Sequence, residues 1–147
     1  MTKQNFEVID GVYVGPKVWK GNLCFLDYRD TITSLGSLTE VRGSLDLDCC
    51  TNLVSLDSLT KVGEWMFSQN CTNLVSLGSL KEVGGDMYLI GGTNSPKGPK
   101  YTFQKVQEKI HYYSHLPLHE ALNALHTDEV NDVPLFKNIL LQILQGD

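Results

Sequence analysis

Extremes of charge and hydropathy are missing from this chain. Its 147 residues carry a formal net charge of only −5, so neither a nucleic-acid groove nor an anionic membrane is an expected partner. No apolar run approaches the length that spans a bilayer. The opening Met1-Thr-Lys-Gln-Asn-Phe-Glu-Val8 has no apolar stretch of signal-peptide length. A cytoplasmic location is expected. C-x-x-C and H-E-x-x-H spacings, a phosphate loop, a dinucleotide fingerprint and a Ser/His/Asp nucleophile context are all lacking. Together these point away from an enzyme, a cofactor or a structural metal. The four cysteines, Cys24, Cys49, Cys50 and Cys71, read as reduced thiols, and Cys50 and Cys71 as buried ones.

Histidine is absent before His111 and then occurs as His111, His115, His119 and His126. The first two are four apart, a spacing that on one helix brings two rings towards a shared metal. Ser114–Pro117 is expected to interrupt that helix, which leaves surface or capping histidines. Gly84-Gly85 and Gly91-Gly92 read as turn glycines rather than a phosphate cradle.

What the sequence has is self-similarity. Thr51-Asn-Leu-Val-Ser-Leu56 recurs intact as Thr72-Asn-Leu-Val-Ser-Leu77, and Val41, Val62 and Val83 open successive copies. A fixed period in the twenties with leucine at set phases is the signature of a solenoid. Within each copy a period-two segment reads as a strand. Leu45 and Leu47, Met66 and Ser68, and Met87 and Leu89 point inward. Ser44, Asp46 and Asp48, then Trp65, Phe67 and Gln69, then Asp86, Tyr88 and Ile90, point outward. After a Cys-Thr-Asn turn, leucine every third residue (Leu53, Leu56, Leu59; Leu74, Leu77, Leu80) suits an extended or 3₁₀-like return. Val18–Glu40 is a divergent copy, longer by two residues. Gly11-Val-Tyr-Val14 reads as the strand of a degenerate first copy, with Val12 and Val14 inward and Tyr13 outward.

Leu45-x-Leu47-x-x-Cys50-x-x-Leu53 resembles the leucine-rich repeat in its cysteine-bearing form, in which the Asn/Cys position forms a buried ladder that satisfies turn backbone groups. The second copy departs from it at Met66 and Ser68, and the third at Gly92. The short period is also similar to repeats in small bacterial and bacteriophage proteins and in receptor L-domain-like β-helices. The resemblance covers roughly residues 18–93 and implies architecture rather than activity.

The expected organisation is an N-terminal cap strand (1–17), a solenoid (18–93), a proline-bearing connector (94–101) and a helical C-terminal segment (102–147). The fold class is thus α+β. The C-terminal segment reads as three short helices with an acidic loop at 127–132, capping the open end of the solenoid. Its last helix carries the stripe Leu135, Phe136, Ile139, Leu140, Ile143 and Leu144. That width predicts a homodimer through Phe136, Leu140 and Leu144.

The outward phases carry the functional expectation. Stacked coils place Ser44, Trp65 and Asp86 in one column and Asp46, Phe67 and Tyr88 in the next, with Tyr13 or Phe25 extending the second. Exposed aromatics on a sheet call for a cover. Either the helices fold over them, or a partner does. Asp46, Asp48 and Asp86 read as the polar part of that face rather than as catalytic acids. One functional reading is a non-enzymatic module that captures, and in doing so inhibits, a partner protein through Tyr13, Arg42, Asp46, Trp65, Phe67, Asp86 and Tyr88. The other is sequestration of a small nucleotide signal, as a bacteriophage counter-defence protein would do, with rings stacking the base and Arg29, Arg42, Lys17 or Lys20 holding phosphates.

Overall fold

Short alternating segments separated by turns give each coil two strands of only two residues and a leucine-rich return. The computed structural model describes residues 4–89 and 101–145. One parallel sheet stacks β3 (Val18–Trp19), β5 (Glu40–Val41), β7 (Lys61–Val62) and β9 (Glu82–Val83). A second stacks β4 (Leu23–Cys24), β6 (Leu45–Asp46), β8 (Met66–Phe67) and β10 (Met87–Tyr88). The third side is the return segment, linked between coils by bridges such as Ser55 with Ser76. The result is a β-solenoid of about three turns. No helix among the described residues is long and apolar enough to cross a membrane.

Identical phases stack on one another, so the core is a set of columns. Leu23, Leu45, Met66 and Met87 form one, and Trp19, Val41, Val62 and Val83 another. All but Val83 are buried. Each buried leucine contributes about 1.5–3 kcal/mol relative to exposure, which single coils cannot realise alone. Where the two sheets meet, coils approach so closely that a Cβ on Gly63 would lie 2.1 Å from Arg42 O, and one on Gly84 2.0 Å from Gly63 O. Glycine is required there for space rather than for flexibility. Cys50 and Cys71 are buried free thiols at one phase. Cys71 Sγ reaches Leu47 O at 3.1 Å, and burial pushes both thiols well above their ordinary range.

The divergent first coil is one residue longer than its successors, not two. Val18 pairs with Glu40, whereas Glu40 pairs with Lys61 and Lys61 with Glu82. The 3₁₀ turn Leu26–Tyr28 absorbs the extra residue. Phase is regained by Asp30, whose carbonyl accepts from Asn52 as Thr51 O accepts from Asn73, both at 2.7 Å.

The N-terminal segment corrects the expected orientation. Strands β1 (Glu7–Ile9) and β2 (Val12–Val14) form a hairpin through Asp10-Gly11, both at positive φ. Val12 bridges to Ser34 and Tyr13 N donates to Ser34 O, so β2 stacks on the return side and not on the strand side. Tyr13 therefore takes the inward phase of Leu35, Leu56 and Leu77, and is 1% exposed, while Val14 points out. Phe25 is likewise fully buried, at the phase of Leu47. Phe6 closes this end, its ring within 5.6 Å of the centroids of Tyr13, Trp19, Phe25 and Tyr28. The Gln4 carboxamide donates to Lys20 O and accepts from Lys20 N, pairing with the backbone as a strand would.

Four helices, rather than three, follow: α1 (Phe103–Ser114), α2 (Leu118–Ala124), α3 (Asp128–Asp132) and α4 (Pro134–Leu144). The expected acidic loop is α3, because Thr127 caps it by accepting from Val130 N. The end of the third copy (Ile90–Thr93), the connector up to Lys100 and the terminal Gly146 lie outside the described residues. Tyr101 pairs with Met87 in an antiparallel bridge and covers the open edge of β10. Asn138 on α4 donates to Thr72 O and Leu74 O at 3.0 and 2.9 Å. Burial would raise the carboxyl of Glu129, but Lys109 Nζ at 2.8 Å and the hydroxyls of Tyr113 and Tyr101 hold it below the usual carboxylate range.

Phe136 and Leu140 are fully buried, with Phe136 packed against the rings of Tyr101 and Tyr113. They form the core of the cap. Leu144 is half-buried against the same core. Two of the three residues expected at a dimer surface, Phe136 and Leu140, thus lie inside the cap rather than on its outside, because packed helices bury their apolar stripes against each other first.

Candidate functional site

The outward face of the second sheet is set by strand register. Across β6, β8 and β10, Asp46 pairs with Phe67 and Phe67 with Tyr88. Since β4 pairs Cys24 with Asp46, the residue that extends this column is Cys24, not Tyr13 or Phe25. The one-residue insertion hid it. Neighbouring strands lie about 4.8 Å apart, which brings these four side chains into one row. Leu45 N donates to Trp65 O and Met66 N to Asp86 O, placing Ser44, Trp65 and Asp86 in the adjacent row.

Phe67 and Tyr88 stack with centroids 4.9 Å apart and planes 9° from parallel. Tyr88 is only 8% exposed, so Phe67 and Trp65 are the more accessible aromatics. Trp65 is half exposed. Its indole lies across the backbone of Gly85, where an added Cβ would fall 2.2 Å from Cδ1. Ser44 Oγ accepts from Trp65 N at 3.2 Å. A large ring is thereby seated on a rigid strand while much of it faces water. The sequence singled out Trp65, but not the glycine that seats it.

The carboxylates are arranged around these rings. Asp46 Oδ1 accepts from Asp48 N at 3.0 Å, and Oδ2 faces Cys24 Sγ at 3.8 Å. Burial, and then the neighbouring Asp46 charge, raise the Cys24 thiol, which makes it a poor thiolate nucleophile. Asp48 Oδ1 accepts from Gln69 N at 2.9 Å. Burial pushes its carboxyl up to about 6; the Gln69 hydrogen bond opposes this and Asp46 adds to it. Gln69, expected outward, is 8% exposed.

Arg42 does not join the rings. It sits at the corner between the sheets, where its Nε lies 3.5 Å from Glu40 Oε2. Lys61 and Glu82 form a second exposed pair on that side, at 3.6 Å. His111 and His115 lie with ring centroids 4.3 Å apart at the end of α1, His115 Nδ1 being 2.8 Å from His111 O. Among the described residues no group of three or more His, Cys, Asp or Glu is placed to hold a metal ion.

A concavity of about 490 Å³ opens where the cap meets the last return segment. Leu77, Leu80, Phe103 and Ile139 line it, with Gln107 and His111 also in its wall. No lysine or arginine is among its described lining. Sequence reasoning anticipated a cap at this end but had no signal for the gap beneath it. Compared with protein-family models, with curated proteins and with solved structures, the chain gives no significant match.

Proposed function

We propose that this chain is a non-enzymatic binding protein of leucine-rich-repeat-like build, which captures and blocks a partner protein in the cytoplasm. The docking surface in this reading is the outward face of β6, β8 and β10, centred on Trp65 and Phe67. The observation that carries it is Trp65, a half-exposed indole held in place by Gly85 and Ser44. Exposing a tryptophan costs solvation free energy, and pre-organising one lowers the entropy lost on binding. Tryptophan in such a setting is the side chain that most often anchors an interface.

The nucleotide reading has less support. Its concave site would be the groove at the cap, whose described lining offers no cation for a phosphate. Arg42 is already paired with Glu40.

The test uses site-specific photocrosslinking in cells, with a benzophenone side chain at position 65 or at position 54. Val54 is a matched control, 47% exposed but on the return side. A discrete adduct from position 65 alone, lost on Phe67→Ala while the circular dichroism spectrum holds, supports the reading. Adducts of the same pattern from both positions, or from position 54 alone, sink it.

A further inference from the structure

We propose that the group this face receives is a cation, an arginine or lysine side chain of the partner protein. The inference rests on the face being the docking surface and names what docks there. Around the three strands, the positions of this face that keep contact with water are Ser44, Asp46, Asp48, Trp65, Phe67 and Asp86, with Tyr88 buried behind Phe67 and Gln69 buried beside Asp48. Of these six, three are carboxylates, two are aromatic, and none is basic.

Aromatic faces carry negative quadrupolar charge and attract cations laid over them, most strongly when the ring is tryptophan. Carboxylates within one strand spacing of those rings add a charge-assisted hydrogen bond at the edge of the same cation. Asp46 is the best placed of them. Its Oδ1 is committed to Asp48 N, but among the described residues Oδ2 has only a thiol at 3.8 Å, a weak donor that a guanidinium displaces at little cost. Asp86 flanks Trp65 from the next strand, and among the described residues its carboxylate accepts no side-chain hydrogen bond.

Asp46 and Asp48 also repel each other, and an arriving positive charge relieves that repulsion. A phosphate or an acidic segment meets the opposite situation, three carboxylates with no compensating cation. An uncharged apolar anchor would fill the ring surface yet strip water from Asp46 and Asp86 without return.

The two indole N–H groups make the test direct. Trp19 is buried with Nε1 bonded to Asn22 O at 2.9 Å, whereas Trp65 is at the proposed site, so each reports separately in a ¹H–¹⁵N spectrum. The intact protein is titrated with an acetylated, amidated arginine–glycine repeat peptide and with its citrulline counterpart, which keeps the shape and loses the charge. The arginine peptide is expected to move the Trp65 indole and leave Trp19 in place. It should bind about tenfold more tightly than the citrulline peptide, with the difference shrinking at high salt. Asp46→Asn with Asp86→Asn should bring the arginine peptide close to the citrulline value.

Equal binding of the two peptides, or no movement of Trp65 with either, overturns the cationic assignment. The photocrosslinking pattern from position 65 is independent of this result, so failure of the cationic assignment and failure of the docking face are told apart.

Discussion

Replacing Asp48 with asparagine removes a charge without removing a hydrogen bond, since the amide oxygen can still accept from Gln69 N. In the folded protein burial holds the Asp48 carboxyl at about 6, against an ordinary value of 3.8. The folded state therefore binds this proton more tightly than the unfolded chain does. Ionised Asp48 destabilises the fold in full above about pH 6, and that cost fades as pH falls towards 3.8. The gap corresponds to roughly 3 kcal/mol. The side chain keeps substantial contact with water, and screening reduces the figure to about 1 kcal/mol. Asp48→Asn should thus gain about 1 kcal/mol at pH 7, or about 3–4 °C in Tm for a chain of this size, and almost nothing at pH 4. Urea unfolding of both proteins at the two pH values measures it, with the slopes compared to confirm that the unfolded states match. Destabilisation at pH 7 would refute the reasoning. So would an equal gain at both pH values, because that gain would have nothing to do with ionisation.

Three further outcomes follow from the packing. Ser68 is 3% exposed and its hydroxyl has no partner among the described residues, so Ser68→Ala should raise the urea midpoint by the equivalent of about 1 kcal/mol. Phe6→Ala opens the N-terminal aromatic cluster and should cost about 3–4 kcal/mol in thermal or chemical unfolding. Asn138→Ala strips two hydrogen bonds from the junction between cap and solenoid, a loss of about 1–2 kcal/mol. Hydrogen exchange should then accelerate in α4 while the amides of β6 and β8 keep their protection.

The solenoid was legible because its rule is repetitive. Leu53 and Leu74, or Val62 and Val83, occupy one phase in successive copies, and the stacking merely superposes them. Legibility ended where a residue's role depends on which side of a coil it joins. Tyr13 lies in an alternating run, and alternation fixes parity only after the side is known. The hairpin through Asp10-Gly11 delivers it to the return side, where the parity is reversed. Cys24 was lost to the inserted residue beside it. In the cap, the apolar phases of α4 were plain, but sequence alone does not say whether Phe136 and Leu140 meet a neighbouring helix or another molecule. Thr127 was a readable capping signal for α3 that the acidic composition masked. For the candidate site, the rings and carboxylates were readable by phase. The Phe67–Tyr88 stack and the Gly85 seat were not, because they depend on rotamers.

The amide of Asn138 does for Thr72 what Asn73 does for Thr51 and Asn52 for Asp30. At the other end, Gln4 lends its carboxamide to Lys20. Both stoppers are written in the vocabulary of the coil, and neither depends on how many coils lie between them. The height of this molecule is therefore an adjustable quantity: a duplicated 21-residue unit should slot between Glu82 and Val83 and find compatible neighbours above and below. Each added storey would lengthen every row of the outward face by one residue, leaving both lids unchanged.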